Sequence, residues 1–270
     1  MKTLQTWGLN FITFTKIQSM NEEKVWDNIG NNYKEEIFSV LHADRNTLVK
    51  QTIFKHRNKN KSAIDFGCGV GHALPYLSAS FKTVLALDIS QKFLDQIKKR
   101  NYPNVDLQKM DLAKVKLNLP KADFAYCCNV AICDDNKKNY QILHNVIHSL
   151  KKGGTALIVI PSFESASNTL FHMIKLYEKD GKKINRIPKD ELNPKQNTLK
   201  QVSEGIHFID DHPTKHYHIQ EIYTLFNQKE FSIESIDKIE YDWKTEITNP
   251  PKNLQEPYPW DWMVVVKRVV

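Results

Sequence analysis

Between residues 63 and 160 the chain alternates short apolar runs with amphipathic stretches, and this alternation limits its fold more than any other feature. The apolar runs predict five buried strands, at Ala63–Phe66, Thr83–Asp88, Val105–Met110, Asp123–Cys128 and Thr155–Ile160. The amphipathic stretches predict helices at His72–Phe81, Gln91–Arg100 and Asn136–Lys151, with Ser90 as an N-cap and Gly153-Gly154 as a stop. Because parallel strands need helical crossovers, this order predicts an α/β fold, a doubly wound and mostly parallel sheet with helices on both faces.

The last third of the chain has a different pattern. A predicted helix over Ser165–Asp180 leads into a polar segment, Gly181–Gly205, and a further helix follows at about Ile219–Lys229. Strands are predicted at Ser232–Trp243 and Trp260–Arg268, with only a Pro-rich link between them. Two consecutive strands without a crossover helix can pair antiparallel, so we expect these two at one edge of the sheet.

A glycine-rich turn, Asp65-Phe66-Gly67-Cys68-Gly69-Val70-Gly71, directly follows the first predicted strand. Glycines at a strand-to-helix turn let a ligand approach the backbone closely. A dinucleotide site favours a third glycine at position 72, where this chain has His72. An acidic residue just ahead of the turn is instead the pattern of S-adenosylmethionine sites. Such a turn also occurs for structural reasons alone, so the residues after the next strands must show whether it belongs to a cofactor site.

Acidic residues also follow the second and third predicted strands. Asp88 ends the second strand, where a carboxylate can accept both hydroxyls of a ribose, although it could also serve as a helix N-cap. Asp111 follows the third strand, where it can accept from an adenine amino group while Met110 and Leu112 pack on the ring. Three acids at the ends of three successive strands favour a nucleoside-containing ligand.

With these motifs the chain resembles the class I, Rossmann-like S-adenosylmethionine-dependent methyltransferases of the small-molecule type. The resemblance covers about residue 21 to the C-terminus and includes the segment Leu150–Thr155, which is similar to the turn before the family's fifth strand. It implies a seven-stranded sheet with an antiparallel last strand, S-adenosyl-L-methionine as the cofactor and direct methyl transfer (EC 2.1.1.-). The residues expected to bind the cofactor are Asp65, Gly67, Cys68, Gly69, Gly71, Asp88, Ile89, Asp111, Leu112 and Asn129.

The end of the fourth strand bears on the methyl acceptor. Methyltransferases of nucleic-acid amino groups commonly carry Asn-Pro-Pro-aromatic or Asp-Pro-Pro-aromatic here, whereas this chain has Asn129-Val130-Ala131. The lysines behind its net charge of +7 are also spread along the chain, without the basic stripe that is typical of nucleic-acid binding. We therefore expect a small-molecule acceptor; a protein or nucleic-acid methyltransferase, a catalytically silent binding or partner subunit, and a nicotinamide-dependent oxidoreductase are the alternatives.

The segment from Ile206 to His218 holds four His and two Asp within twelve positions. It could bind a metal, form a surface loop, or reach the acceptor cavity as the segment before the last helix does in many small-molecule members. We favour the third interpretation and no metal, with His207, His216 or Tyr217 orienting the acceptor or taking its proton. A base is needed only if the acceptor must lose a proton. Trp26 and Tyr33, on a predicted N-terminal helix, are further candidates for contact with the acceptor.

The predicted organisation has three parts. Residues 1–20 form a flexible tail, in which a targeting segment is not ruled out, and residues 21–60 form an N-terminal helical cap. Residues 61–270 form the cofactor-binding domain, with residues 165–218 inserted as a cap over the acceptor cavity. Four cysteines are too few and too clustered for a disulfide framework, and no apolar run is long enough to span a membrane. These features predict a cytoplasmic protein with reduced thiols.

Overall fold

A computed structural model describes residues 39–187, 199–209 and 212–270, together with Glu23, Trp26 and Asp27. Its main strands, in chain order, are β1 (Asn58–Phe66), β2 (Phe81–Asp88), β3 (Val105–Lys109), β4 (Ala122–Cys128), β5 (Leu150–Pro161), β6 (Ile206–Ile209), β7 (His212–Lys215), β8 (Phe231–Glu240) and β9 (Trp260–Arg268). Its helices are α1 (Val40–Ala43), α2 (Leu48–Lys55), α3 (Leu74–Ser80), α4 (Gln91–Lys98), α5 (Asn136–His148), α6 (Phe163–Lys179), α7 (Leu199–Ser203) and α8 (Ile219–Phe226), with short 3₁₀ turns at Ile184–Arg186 and Trp243–Thr245.

Seven strands form one sheet in the order β3-β2-β1-β4-β5-β9-β8. The first five strands of the chain are parallel, and β9 runs antiparallel between β5 and β8. The predicted fold class, a doubly wound sheet with an antiparallel last strand, is therefore confirmed. The strand order reverses between β1 and β4, which opens a crevice at their carboxyl ends.

Each face of the sheet carries its own hydrophobic layer. One layer packs α5 and α8 against side chains such as Phe66, Ile158 and Val264. The other packs α2, α3 and α4 against side chains such as Phe124 and Met263. Both faces are thus covered by helices, which is why the central strands read as continuous apolar runs in the sequence.

Two predicted boundaries are wrong in informative ways. The first strand was expected to begin at Ala63, but β1 begins at Asn58, because its exposed first residues extend the pairing with β2 as far as Phe81. Gly153-Gly154 was expected to stop a helix, but α5 ends at His148 and both glycines lie within β5. There they form a bulge: Leu150 pairs with Ala122 of β4, and the next pair is Thr155 with Phe124, so β5 has extra residues in between. Gly153, within this bulge, has a φ of +76°.

The described parts of the region after β5, residues 163–187, 199–209 and 212–215, adjoin the carboxyl edge of β4 and β5 through α6 and Lys215. Helix α6 contributes Met173 and Tyr177 to a small cluster with Trp243 and Ile247, from the link between β8 and β9. Strands β6 and β7 pair antiparallel as a two-stranded hairpin. A surface loop had been one of the interpretations of this His-rich segment. Within the described part of the chain, no helix is long and apolar enough to cross a membrane.

Candidate functional site

A cavity lies at the carboxyl ends of β1, β2 and β4, where the strand order reverses. It has about 1100 Å³ of empty space, part of which is open to solvent. Nine of the ten residues predicted to contact a cofactor line it: Asp65, Gly67, Cys68, Gly69, Asp88, Ile89, Asp111, Leu112 and Asn129. The tenth, Gly71, is not in the lining; it ends the turn and lies against Leu74 and Ile97.

The turn after β1 requires glycine for two separate reasons. Gly67 and Gly69 have φ values of +67° and +52°, a region that side chains rarely adopt. A Cβ atom on Gly67 would also lie 2.4 Å from Cγ2 of Val130. Because these glycines have no side chains, the backbone itself forms the wall of the cavity here, and a ligand can approach it closely.

Asp65 is a buried carboxyl group in the cavity wall. Its side chain is 1% exposed, and its Oδ2 atom has no hydrogen-bond partner among the described residues. Burial, with a smaller contribution from the negative charge of Asp88, raises the pKa of Asp65 to about 8. A buried carboxyl oxygen without a donor is costly, so the cavity favours a ligand that brings a cationic donor to this point.

Asp88 ends β2 and lies against the same turn. Its Oδ2 accepts from the Gly69 backbone N–H at 2.8 Å, and its Oδ1 accepts from the Ser90 N–H at 2.9 Å. Ser90 in turn caps α4 by accepting from the N–H of Phe93, as the sequence predicted. Burial is the largest effect on Asp88 and raises its pKa. The Asp88 carboxyl lines the cavity, where a carboxylate can accept from hydroxyls of a ligand.

The third acid, Asp111, lies in the loop after β3. Its Oδ1 accepts from the N–H of Ala113 at 3.0 Å, which holds the loop in a tight turn. The cavity lining includes Asp111 together with the apolar side chains of Met110 and Leu112. The predicted meeting of the three acids at one edge of the sheet is therefore present in the structure.

Asn129 connects this cavity to the start of β9, at the same edge of the sheet. It adopts a φ of +52° after β4, and its side-chain amide donates to Asp261 Oδ2 at 3.2 Å. The hydroxyl of Tyr241 donates to the same oxygen at 2.8 Å. Asp261 is 9% exposed, and burial raises its pKa. A second polar centre thus adjoins the cavity through Asn129.

His207, His216 and Tyr217 do not line the cavity. The rings of His207 and His216 lie edge to face, 5.3 Å apart, and burial lowers their pKa values to about 4 and about 3. Both imidazoles are therefore weak bases at neutral pH. Tyr217 is fully buried and its hydroxyl donates to the carbonyl of Ala131 at 2.7 Å. The structure gives these three residues packing roles, and a role in proton transfer stays a prediction without support from their positions.

A buried ion pair holds this segment in place. Lys215 is fully buried; its ammonium lies 2.7 Å from Glu221 of α8 and donates to the carbonyl of Glu204 at 2.6 Å. The backbone N–H of Lys215 bonds to the carbonyl of Ile132, which attaches the hairpin to the loop after β4. Among the residues that the structure describes, no three His, Cys, Asp or Glu side chains are grouped as metal ligands.

The N-terminal segment also contributes to the cavity wall. Trp26, Ser39, Val40 and Leu41 line it, and contact of Trp26 with an acceptor stays a prediction. Asp27 accepts from the hydroxyl of Ser90 at 2.5 Å. Tyr33 lies outside the described residues.

Sequence reasoning missed several residues of the site. His72, Tyr126 and Cys128 line the cavity but carry no motif. Asp261 had a usable signal, because a charged residue stands within the apolar strand Trp260–Arg268. Tyr241 had none, since its role depends on where β8 meets β9.

Comparisons with known proteins agree with this geometry. A family model described as a methyltransferase domain matches residues 63–154. No curated protein sequence matches the chain.

Solved structures extend the similarity to most of the chain. A methyltransferase from Mesorhizobium loti is 17% identical over 85% of this chain and 100% of its own, with a TM-score of 0.59. Another, from Anabaena variabilis, is 17% identical over 96% of this chain and 99% of its own, with a TM-score of 0.58. The N-methyltransferase NodS from Bradyrhizobium japonicum, in complex with S-adenosyl-L-homocysteine, is 8% identical over 92% of this chain and 99% of its own, with a TM-score of 0.57.

Proposed function

We propose that this chain, which has the fold of the class I S-adenosylmethionine-dependent methyltransferases, binds S-adenosyl-L-methionine in the cavity and transfers its methyl group to a small molecule. The observation that carries the proposal is Asp65, a buried carboxyl with an unpartnered oxygen, at the start of the glycine turn. The ammonium of the cofactor's amino-acid part would supply the missing cationic donor.

The acidic residues at the glycine turn also favour this cofactor over a dinucleotide. A dinucleotide would bring its anionic pyrophosphate to the glycine turn, where the carboxyl groups of Asp65 and Asp88 offer acceptor oxygens and no positive charge to balance it. S-adenosyl-L-methionine carries no phosphate and has two cationic groups. The acids of the turn therefore favour it on electrostatic grounds.

The remaining contacts follow from the order of the strands. Asp88 would accept from the ribose hydroxyls, and Asp111 would accept from the adenine amino group, with Met110 and Leu112 packed on the ring. Gly67 and Gly69 would keep the turn close to the amino-acid part. When bound, the cofactor supplies an electrophilic methyl group on a sulfonium. The protein's main task is then to hold the acceptor in line behind that methyl and to exclude water.

Several features support a small-molecule acceptor. Asn129 is followed by Val130 and Ala131, without the motif of enzymes that methylate nucleic-acid amino groups. Trp26, Val40 and Leu41 narrow the cavity from the N-terminal side. Of the expected cap, residues 165–218, we assign the described residues 165–187, 199–209 and 212–218 to the acceptor end, because the hairpin is bonded to the loop after β4 and α6 begins directly at the end of β5.

Calorimetry tests the cofactor, and turnover tests the reaction. We expect S-adenosyl-L-homocysteine to bind and a nicotinamide dinucleotide not to bind; the reverse would refute the proposal. Release of S-adenosyl-L-homocysteine is then measured with a library of small metabolites, with tRNA and with protein extract as separate acceptors. Tight cofactor binding without turnover on any of them would indicate a silent binding subunit instead.

A further inference from the structure

Lysines that are spread along the sequence are grouped in the structure at one edge of the sheet. One row of paired residues crosses all seven strands, from Val105 of β3 through Ala63 of β1 to Ser232 of β8. The parallel strands begin within a few residues of this row, and β9 ends there. Helices α2, α4 and α5 also end at this edge, because each of them leads into a parallel strand. This is the amino edge of the sheet, opposite the carboxyl edge that holds the cavity.

The amino edge carries the excess positive charge of the chain. It consists of residues 55–62, 81–83, 98–106, 120–123, 149–153, 229–234 and 267–268. These segments contain fourteen Lys and Arg and four Asp and Glu, an excess of ten positive charges, whereas the net charge of the whole chain is +7. The rest of the chain is therefore net negative. We call these segments together the basic face.

Contacts between strands show that the charged side chains of the basic face lie close to one another. The ammonium of Lys151, on β5, lies 2.8 Å from Asp123 Oδ2 beside it on β4 and 3.5 Å from the hydroxyl of Ser62 on β1. Lys61 and Lys152, the neighbours of Ser62 and Lys151 in the sequence, are exposed. Three of the four acids are already paired with cations of the face, so they do not neutralise the remaining positive charge.

The composition of the basic face indicates the kind of partner that it fits. Eleven of its fourteen cations are Lys and three are Arg. The Lys ammonium is a point charge, whereas the planar fork of Arg suits individual phosphates in a fixed geometry. Apolar side chains are exposed at the same edge: Phe54, in the last turn of α2, is 44% exposed, and Val269, directly after β9, is 42% exposed. Lysines with apolar side chains among them favour an anionic lipid surface over a nucleic acid.

We propose that the basic face binds the surface of a membrane that contains anionic lipids. Seven strands about 4.8 Å apart form a row about 30 Å wide, so many lysines can lie against lipid headgroups at the same time. Phe54 and Val269 would enter the boundary between the headgroups and the acyl chains. Binding of this kind requires no helix that spans the membrane.

This orientation would turn the cavity away from the membrane. The cavity lies at the carboxyl ends of the strands and the basic face at the opposite edge, so the length of the sheet separates them. A methyl acceptor would then reach the cavity from the water. The inference itself does not depend on the proposed function, because no residue of the basic face lines the cavity.

Sedimentation with lipid vesicles tests the proposal. Vesicles of phosphatidylcholine alone are compared with vesicles that also contain phosphatidylserine. We expect the wild-type protein to bind the anionic vesicles at least tenfold more tightly. Raising NaCl from about 0.05 M to about 0.5 M should weaken that binding at least tenfold, because salt screens exposed charges.

Two double variants locate the binding surface. Lys61→Glu/Lys152→Glu, in the basic face, should weaken binding to the anionic vesicles at least tenfold. The matched control Lys137→Glu/Lys252→Glu makes the same change of charge near the carboxyl edge, at the start of α5 and in the link between β8 and β9, and should weaken it no more than threefold. The Tm of each variant is measured first. Lys82→Glu/Lys121→Glu, also in the basic face, replaces the first variant if that one does not fold.

Four results would overturn the proposal. The first is equal binding to both kinds of vesicle, and the second is binding to anionic vesicles that salt does not weaken. The third is an equal loss of affinity in the test variant and in the control, because net charge alone would then be responsible. The fourth is binding of tRNA without binding of anionic vesicles, which would assign the basic face to nucleic acid instead.

Discussion

Replacing Asp65 with Asn should stabilise the ligand-free protein above about pH 5 and weaken cofactor binding. In the folded protein the pKa of Asp65 is raised from 3.8 to about 8. A raised pKa means that the group contributes stability fully below pH 3.8 and loses that contribution as the pH rises through 8. The difference of about four units, at about 1.36 kcal/mol per unit, corresponds to at most about 6 kcal/mol across this range. An amide does not ionise, so the Asp65→Asn variant does not lose this stability as the pH rises.

Thermal unfolding at pH 5 and pH 8.5 measures this effect. The Tm of Asp65→Asn minus that of the wild type should rise by at least about 5 °C between the two pH values, because about 1 kcal/mol shifts the Tm of a chain of this size by roughly 2–4 °C. Asp106→Asn, which removes an exposed carboxylate on β3, is the control and should show no such rise. A Tm difference that is independent of pH would refute the reasoning.

The same variant tests the role of Asp65 in binding. S-adenosyl-L-homocysteine at a fixed concentration should raise the Tm of the wild type more than that of Asp65→Asn, because the ligand's ammonium loses its partner. A lost charge-assisted hydrogen bond costs about 1.5–3 kcal/mol, which is roughly a 10- to 150-fold loss of affinity. Retention of wild-type affinity by Asp65→Asn would show that Asp65 does not face the ammonium.

Three further predictions concern other groups. Asp88→Ala should weaken S-adenosyl-L-homocysteine in calorimetry by roughly 1.5–3 kcal/mol for each ribose hydrogen bond lost, and unchanged affinity would disprove the ribose assignment. Gly67→Ala should lower stability by about 1–3 kcal/mol in urea unfolding because of its positive φ and the contact with Val130; adding Val130→Ala should restore only the part due to the contact. Lys215→Met should cost about 3–5 kcal/mol in the same assay by leaving Glu221 unpaired, and adding Glu221→Gln should recover part of it; no recovery would mean that the ion pair is not the cause.

The site was predictable from the sequence where its residues lie at the ends of successive strands. Asp65, Asp88 and Asp111 each follow an apolar run, and parallel strands bring their carboxyl ends to one edge whatever the details of packing. Gly67 and Gly69 were predictable for the same reason, since the turn between a strand and a helix is a local structure. Nine of the ten residues expected to contact the cofactor accordingly line one cavity.

The residues around Asp261 could not be placed in this way. Asn129 and Asp261 are 132 positions apart, and they meet because β9 inserts antiparallel between β5 and β8. For His207 and His216 the sequence suggested more than the structure supports. A His-rich segment suggested residues that take a proton from the acceptor, but both rings are buried in the hairpin region, and burial lowers their pKa values. A local pattern does not report how deeply a segment will be packed.

The sequence by itself determined the class of fold, the succession of strands and helices and the edge at which a cofactor would bind, because these depend on the local period of apolar residues and on turn chemistry. The tertiary structure decided which side chains share one space. Gly153 became part of a bulged strand, Lys215 became the centre of a buried ion pair, and Asp261 came to face Asn129. Each of these depends on strand register and burial between segments far apart in the chain, which no local pattern encodes.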